Sequence, residues 1–265
     1  MKLPGEDITG PVIQEQFKEL FAYAEKFWVT ASPLIRENDV VGAGNNRNLN
    51  ICVCGAIAKQ MRLYYAAVSL CRSGLAHEAN LVLRTMLYTS VYLLALYRSD
   101  DKQKFSKMWI MWDFAISERN YFGLKTVMPN WPELKGIGEF SEEIRKELPP
   151  ERWGNFLNNG PAMVNFRELC VQSKFEEAYL SVFRITSSVA HGSDLMFYSK
   201  PQDDGSIVCQ LSQTGEEIEQ IIVSAAVLLR DACVQAHDLL NLNNEELKMK
   251  IMESFEEYKT LNRKS

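Results

Sequence analysis

Apolar side chains recur at spacings of three and four residues along nearly the whole chain, a pattern that admits little besides packed α-helices. It predicts helices over Pro11–Val29, Leu49–Cys71, Leu75–Arg98, Lys102–Leu124, Phe140–Leu148, Val164–Ser173, Phe175–Ala190, Glu216–Leu240 and Glu245–Leu261. Ser73-Gly74 separates the second helix from the third, because glycine accepts the left-handed backbone that ends a helix. Asn243-Asn244 ahead of Glu245-Glu246 supplies a cap and two acids at the positive end of the helix dipole. The expected fold is all-α, a multi-helix bundle. Val127–Pro161, rich in Pro, Gly and Trp, reads as one long irregular connection holding one short helix. Ser206–Leu211, after the turn signal Asp203-Asp204-Gly205, adds at most a short strand or hairpin.

No internal repeat, low-complexity tract or polar linker divides the chain, so a single helical domain over 1–265 is expected. Its bundle core spans about 49–241, and 245–261 forms a C-terminal amphipathic helix. A chain of 265 residues can bury a sufficient core without a disulfide or metal staple. Cys52, Cys54, Cys71, Cys170, Cys209 and Cys233 show no C-x-x-C spacing and fall mostly in apolar helical stretches, which makes them reduced core residues. Met1–Asp7 lacks the apolar run of a secretion signal, and a cytoplasmic location is expected. Leu81–Tyr97 approaches the length of a membrane span but carries Arg84 and three tyrosines; it reads as a buried central helix, with no membrane partner.

A net charge of −5 gives the chain no global attraction for polyanions, so any such site must be local. Val40-Val41-Gly42-Ala43-Gly44-Asn45 lacks the third glycine of a dinucleotide loop. Walker, zinc-ligand, Gly-x-Ser-x-Gly and paired Glu-x-x-His patterns are also missing, so neither a metal nor a cofactor is expected. Trp109, Trp112, Phe114 and Tyr121 fall on one predicted helix at a spacing that suits core packing better than base stacking.

Of the three histidines, His77, His191 and His237, one sits in a suggestive setting. Glu177, Ser181, Arg184, Ser188 and His191 share a polar stripe opposite Ala178, Val182, Ile185 and Val189. An arginine fork can hold a phosphate while an imidazole titrating near neutrality moves a proton, a combination suited to phosphodiester cleavage in RNA. The same spacing also suits a surface ion-pairing arginine and a histidine stabilised at a helix C-terminus before Gly192, and on spacing alone that structural role is the commoner one. A second stripe, His77, Asn80, Arg84 and Tyr88, lies on an otherwise strongly apolar predicted helix. Arg84 there needs a carboxylate such as Glu78 or Glu177, or a polar cavity.

The run Arg72–Thr85, joined about a hundred residues later to Tyr179–Ser193, resembles an uncharacterised bacterial helical family, domain of unknown function 5677. The resemblance covers roughly Leu49–Tyr198. That family is in turn similar to the HEPN superfamily of helical bundles, whose active members carry Arg, four to six residues, then His; Arg184 and His191 match the longer form. The resemblance implies metal-independent RNA cleavage by a homodimer, with Arg184 and His191 catalytic and Arg84, Ser187, Ser188, Ser193, Glu78 and Tyr179 supporting them or binding phosphate. It also suggests a setting in bacterial stress or phage defence. The alternative is a non-catalytic helical module that binds a partner protein or nucleotide through the same stripe.

Overall fold

The computed structural model describes residues 10–36, 46–130, 146, 148–178, 180, 199–201, 207–209 and 217–261. Helices α1 (Gly10–Gln16) and α2 (Lys18–Ala31) replace the first predicted helix, the break falling at Phe17, and α3 (Pro33–Arg36) is a single further turn. The long helices follow: α4 (Arg47–Arg72), α5 (Ala76–Arg98) and α6 (Lys102–Val127). Next come α7 (Pro150–Asn159), α8 (Phe166–Gln172) and the short α9 (Glu176–Ala178). Strands β1 (Ser199–Pro201) and β2 (Ile207–Cys209) precede α10 (Ile218–Leu239) and α11 (Glu245–Leu261). The all-α expectation holds, and β2 falls inside the expected strand segment. It pairs antiparallel with β1, Lys200 opposite Val208.

Local chemistry explains the boundaries. Gly74, at φ 72°, ends α4 by donating to the Cys71 carbonyl at 3.0 Å while Leu75 N–H reaches the Leu70 carbonyl at 2.9 Å. Asp101 caps α6 by accepting from Lys104 N–H at 2.9 Å, and Asn244 caps α11 by accepting from Leu247 N–H at 3.0 Å. The connection from Val127 to Pro161, expected to hold one short helix at Phe140–Leu148, also carries α7, which is not among the predicted helices. Proline is favoured at the first helical position, where its missing N–H loses no bond, so Pro149-Pro150 begins a helix instead of excluding one. The predicted short helix Phe140–Leu148 falls almost wholly outside the described residues, as do most of Phe175–Ala190 and the Val40–Asn45 loop.

The centre is a three-helix core of α4, α5 and α10. Helix α5 is long and apolar enough to cross a membrane, but 67% of its apolar window is buried inside the protein, as a core helix requires. Leu83, Met86, Leu87, Val91, Leu93 and Leu96 are all buried. Helix α10 answers with Ile218, Ile221, Ile222, Leu228 and Leu229, and each such side chain contributes about 1.5–3 kcal/mol on leaving water.

Helices α2 and α11 close one side of this core. The fully buried ring of Phe27 lies 5.9 Å from Tyr64 of α4 and 6.3 Å from Phe255 of α11, centroid to centroid, so one side chain ties three helices. Outside the main core, Met108, Met111 and Ala115 of α6 bury Leu148 and Phe156 of the α7 region. Tyr92 sits between Trp109 and Trp112, at 5.7 and 5.4 Å. The packing reading of those tryptophans stands, whereas Phe114 is 42% exposed.

The cysteines behave as predicted where they are described. Cys52, Cys71, Cys170 and Cys233 are buried and Cys54 is half-buried, all as free thiols. Burial pushes each of the four buried thiols up to about 12, far from a reactive thiolate.

Candidate functional site

Helix α5 carries the second polar stripe into the core. His77 and Asn80 occupy its first turn and are buried, 8% and 5% exposed, while Arg84 and Tyr88 lie half-buried one and two turns further on. The Tyr88 ring rests 4.0 Å from Phe166 at the start of α8, so this position is committed to packing. Arg84, Glu78 and Glu177 each have an interaction partner, as the cost of a bare guanidinium in an apolar wall requires.

The organising residue at the head of the stripe is one that sequence reasoning missed. Glu217, at the N-terminus of α10, places Oε2 3.1 Å from Asn80 Nδ2 and 3.4 Å from His77 Nδ1. Asn80 also donates to the His77 carbonyl at 3.1 Å, closing the cluster. Glu217 holds a left-handed backbone, φ 68° and ψ −10°, a conformation uncommon for a residue with a Cβ and one that tertiary contacts must support. The only sequence signal was the general preference for an acid where a helix begins, which names no partner.

The geometry permits a definite chemistry. In the tautomer that carries its proton on Nδ1, the ring donates to the Glu217 carboxylate and presents Nε2 as an acceptor. With the ring this buried, exchange with bulk water is restricted. The cluster also acts on the end of α4: burial and then the Glu217 charge both push the Cys71 thiol upward. The other two histidines differ in fate. His237 is spent on structure, with Nε2 3.1 Å from the Asn244 carbonyl and Nδ1 3.3 Å from Asp238. His191 lies outside the described residues, and so do Tyr179, Arg184, Ser187, Ser188 and Ser193.

The protein is thus an all-α helical bundle whose central helix carries a buried polar cluster at its first turn. It belongs to the family of unknown function DUF5677, which matches over residues 50–206. That span runs from α4 through β1, including Arg84, Arg184 and His191, and ends before α10 and Glu217. No curated protein and no solved structure matches the chain.

Proposed function

We propose that this chain is a HEPN-like, metal-independent endoribonuclease, acting as a homodimer in the bacterial cytoplasm during stress or phage defence. The observation that carries the reading is that the family match joins, in one span of an all-α bundle, the α5 stripe bearing Arg84 and the Arg184-x6-His191 motif. In this reaction Arg184 holds the non-bridging phosphate oxygens through its planar fork. His191 takes the proton from the RNA 2′-hydroxyl, which attacks phosphorus; the bond to the 5′-oxygen breaks, the leaving oxygen takes up a proton, and a 2′,3′-cyclic phosphate remains. Ser187, Ser188, Ser193, Tyr179, Glu78 and Arg84 support the phosphate and its two catalytic groups.

The test is cleavage of a mixed RNA pool in the presence of a chelator by wild type, His191→Ala and Arg184→Ala proteins of equal thermal stability. Cleavage by wild type alone, with cyclic-phosphate ends, is the expected result. An inert wild type would leave the same stripe as the binding surface of a non-catalytic module.

A further inference from the structure

We propose that the cavity between the first turns of α6 and α7 binds a phosphate group of RNA, at a place separate from the Arg184 and His191 motif. The inference rests on the reading of the chain as an RNA-acting protein. The cavity holds about 380 Å³ and is lined by Lys104 and Lys107 from α6, Arg152 from α7 and a floor that includes Met108, Leu148 and Met163.

Three exposed cations from two different helices converge on one concavity, where lysines serving only solubility would spread along one solvated face. Among the described residues the lining holds one carboxylate, Asp101, which caps α6 through Lys104 N–H and keeps its charge, so three cations stand against one anion there. Among the described residues neither Lys104 nor Arg152 forms an ion pair. Helix α7 begins at the same rim, but Pro150 has no N–H, Arg152 N–H donates to the Pro149 carbonyl at 2.9 Å and Glu151 stands in the first turn, so the attraction for phosphate rests on the three side-chain cations.

The result is a local cationic hollow on a chain of net charge −5, which is the form that any polyanion site here must take. Arginine offers a planar fork and lysine a mobile point charge to phosphate oxygens, while the apolar floor can accept a ribose or base face. The volume lies near the lower end of ligand cavities, suited to one nucleotide unit and too small for a folded duplex.

The experiment measures binding of a fluorescein-labelled single-stranded RNA of about 12 nucleotides by anisotropy, at several salt concentrations, using full-length His191→Ala protein so that binding is read apart from cutting. Adding Lys104→Gln and Arg152→Gln is expected to weaken binding at least about tenfold and to lower the log–log salt slope by about 1.4, two phosphate contacts at about 0.7 each. Adding Lys59→Gln instead, in a separate groove on α4, should change neither value. Inorganic phosphate as competitor separates two sources of one chemistry: displacement at millimolar concentration assigns a phosphate-sized ligand, and its failure assigns the polymer. Unchanged affinity and slope in the Lys104 and Arg152 variant would overturn the proposal, as would no RNA binding by the parent. If the site binds RNA while wild type cuts nothing, the nuclease reading falls and the site stands; if wild type cuts and the variant binds normally, the reverse holds.

Discussion

Gln60 of α4 and Ser90 of α5 are joined by a hydrogen bond of 2.7 Å, Nε2 to Oγ, at the centre of the apolar core. The same Gln60 nitrogen donates to the Met86 carbonyl at 2.8 Å, and Ser90 Oγ reaches the Leu228 carbonyl at 3.5 Å. A short polar thread therefore links all three central helices. It is incompletely satisfied, because Gln60 Oε1 has no partner among the described residues.

That asymmetry makes a prediction about substitution. Gln60→Ala removes both bonds and leaves a void, and should cost about 2–4 kcal/mol. Gln60→Met keeps most of the volume and removes the orphan oxygen along with the amide, so it should cost less than half as much. Urea unfolding midpoints at equal slope decide the matter: equal losses in the two variants would mean that the hydrogen bonds outweigh packing here.

Gly160 should resist any side chain. It terminates α7 at φ 71° and ψ −162°, a region essentially reserved for glycine, and an added Cβ would lie 2.7 Å from Tyr92 Oη. Tyr92 Oη itself donates to the Asn159 carbonyl at 3.0 Å. Gly160→Ala is expected to destabilise by about 2–4 kcal/mol, combining backbone strain with the clash. Combining it with Tyr92→Phe should relieve the closest contact while leaving the ring carbons at 3.1 and 3.3 Å and the backbone strain, so a double-mutant cycle that shows no coupling would refute the proposed contact.

The tether between α10 and α11 should give stability a defined dependence on pH. Partial burial raises the Asp238 carboxyl, but hydrogen bonds from Lys248 at 2.6 Å and from His237 outweigh it and hold the group below the usual 3.8. The same Asp238 bond lifts the Lys248 ammonium above 10.5. A lowered acid stabilises the fold above its unfolded value and loses that contribution as pH falls through the folded one; a raised base stabilises below its unfolded value and loses it as pH climbs past the folded one. The stability gap between wild type and Lys248→Met should be full between about pH 5 and 9 and close as pH falls below 3.8 and through the lowered Asp238 value. Thermal melts across that range check it, and a gap that persists in strong acid would mean the lysine acts through packing alone.

Thiol reactivity should follow burial. Cys54 is half-buried and its pKa is raised by desolvation, while Cys52, Cys71, Cys170 and Cys233 are buried and pushed to about 12. Of these five, Cys54 should be alkylated first by iodoacetamide under native conditions, and the others should react only after unfolding. Peptide mapping over time reads the order directly; Cys71 or Cys233 reacting as fast as Cys54 would show that the core opens far more readily than its packing implies.

The helices were legible because their determinants are local. Periodicity and caps act within about four residues, so Asn244 and the pair Ser73-Gly74 marked real termini, and α11 ran over the residues predicted for it. Helix α7 was missed by the same local logic, since Pro149-Pro150 reads as a breaker until proline's preference for the first helical turn is weighed. The α5 stripe of His77, Asn80 and Arg84 was also visible as a set of polar positions on an apolar helix. What the sequence could not supply was the carboxylate that answers His77 and Asn80, because Glu217 stands 140 residues beyond His77. Nor could it show the Gln60 thread, or the meeting of Lys104 and Arg152 at one cavity. Backbone hydrogen bonding fixes each helix from its own residues, but partners across helices are chosen by how buried surfaces interlock, and that choice exists only in the folded chain.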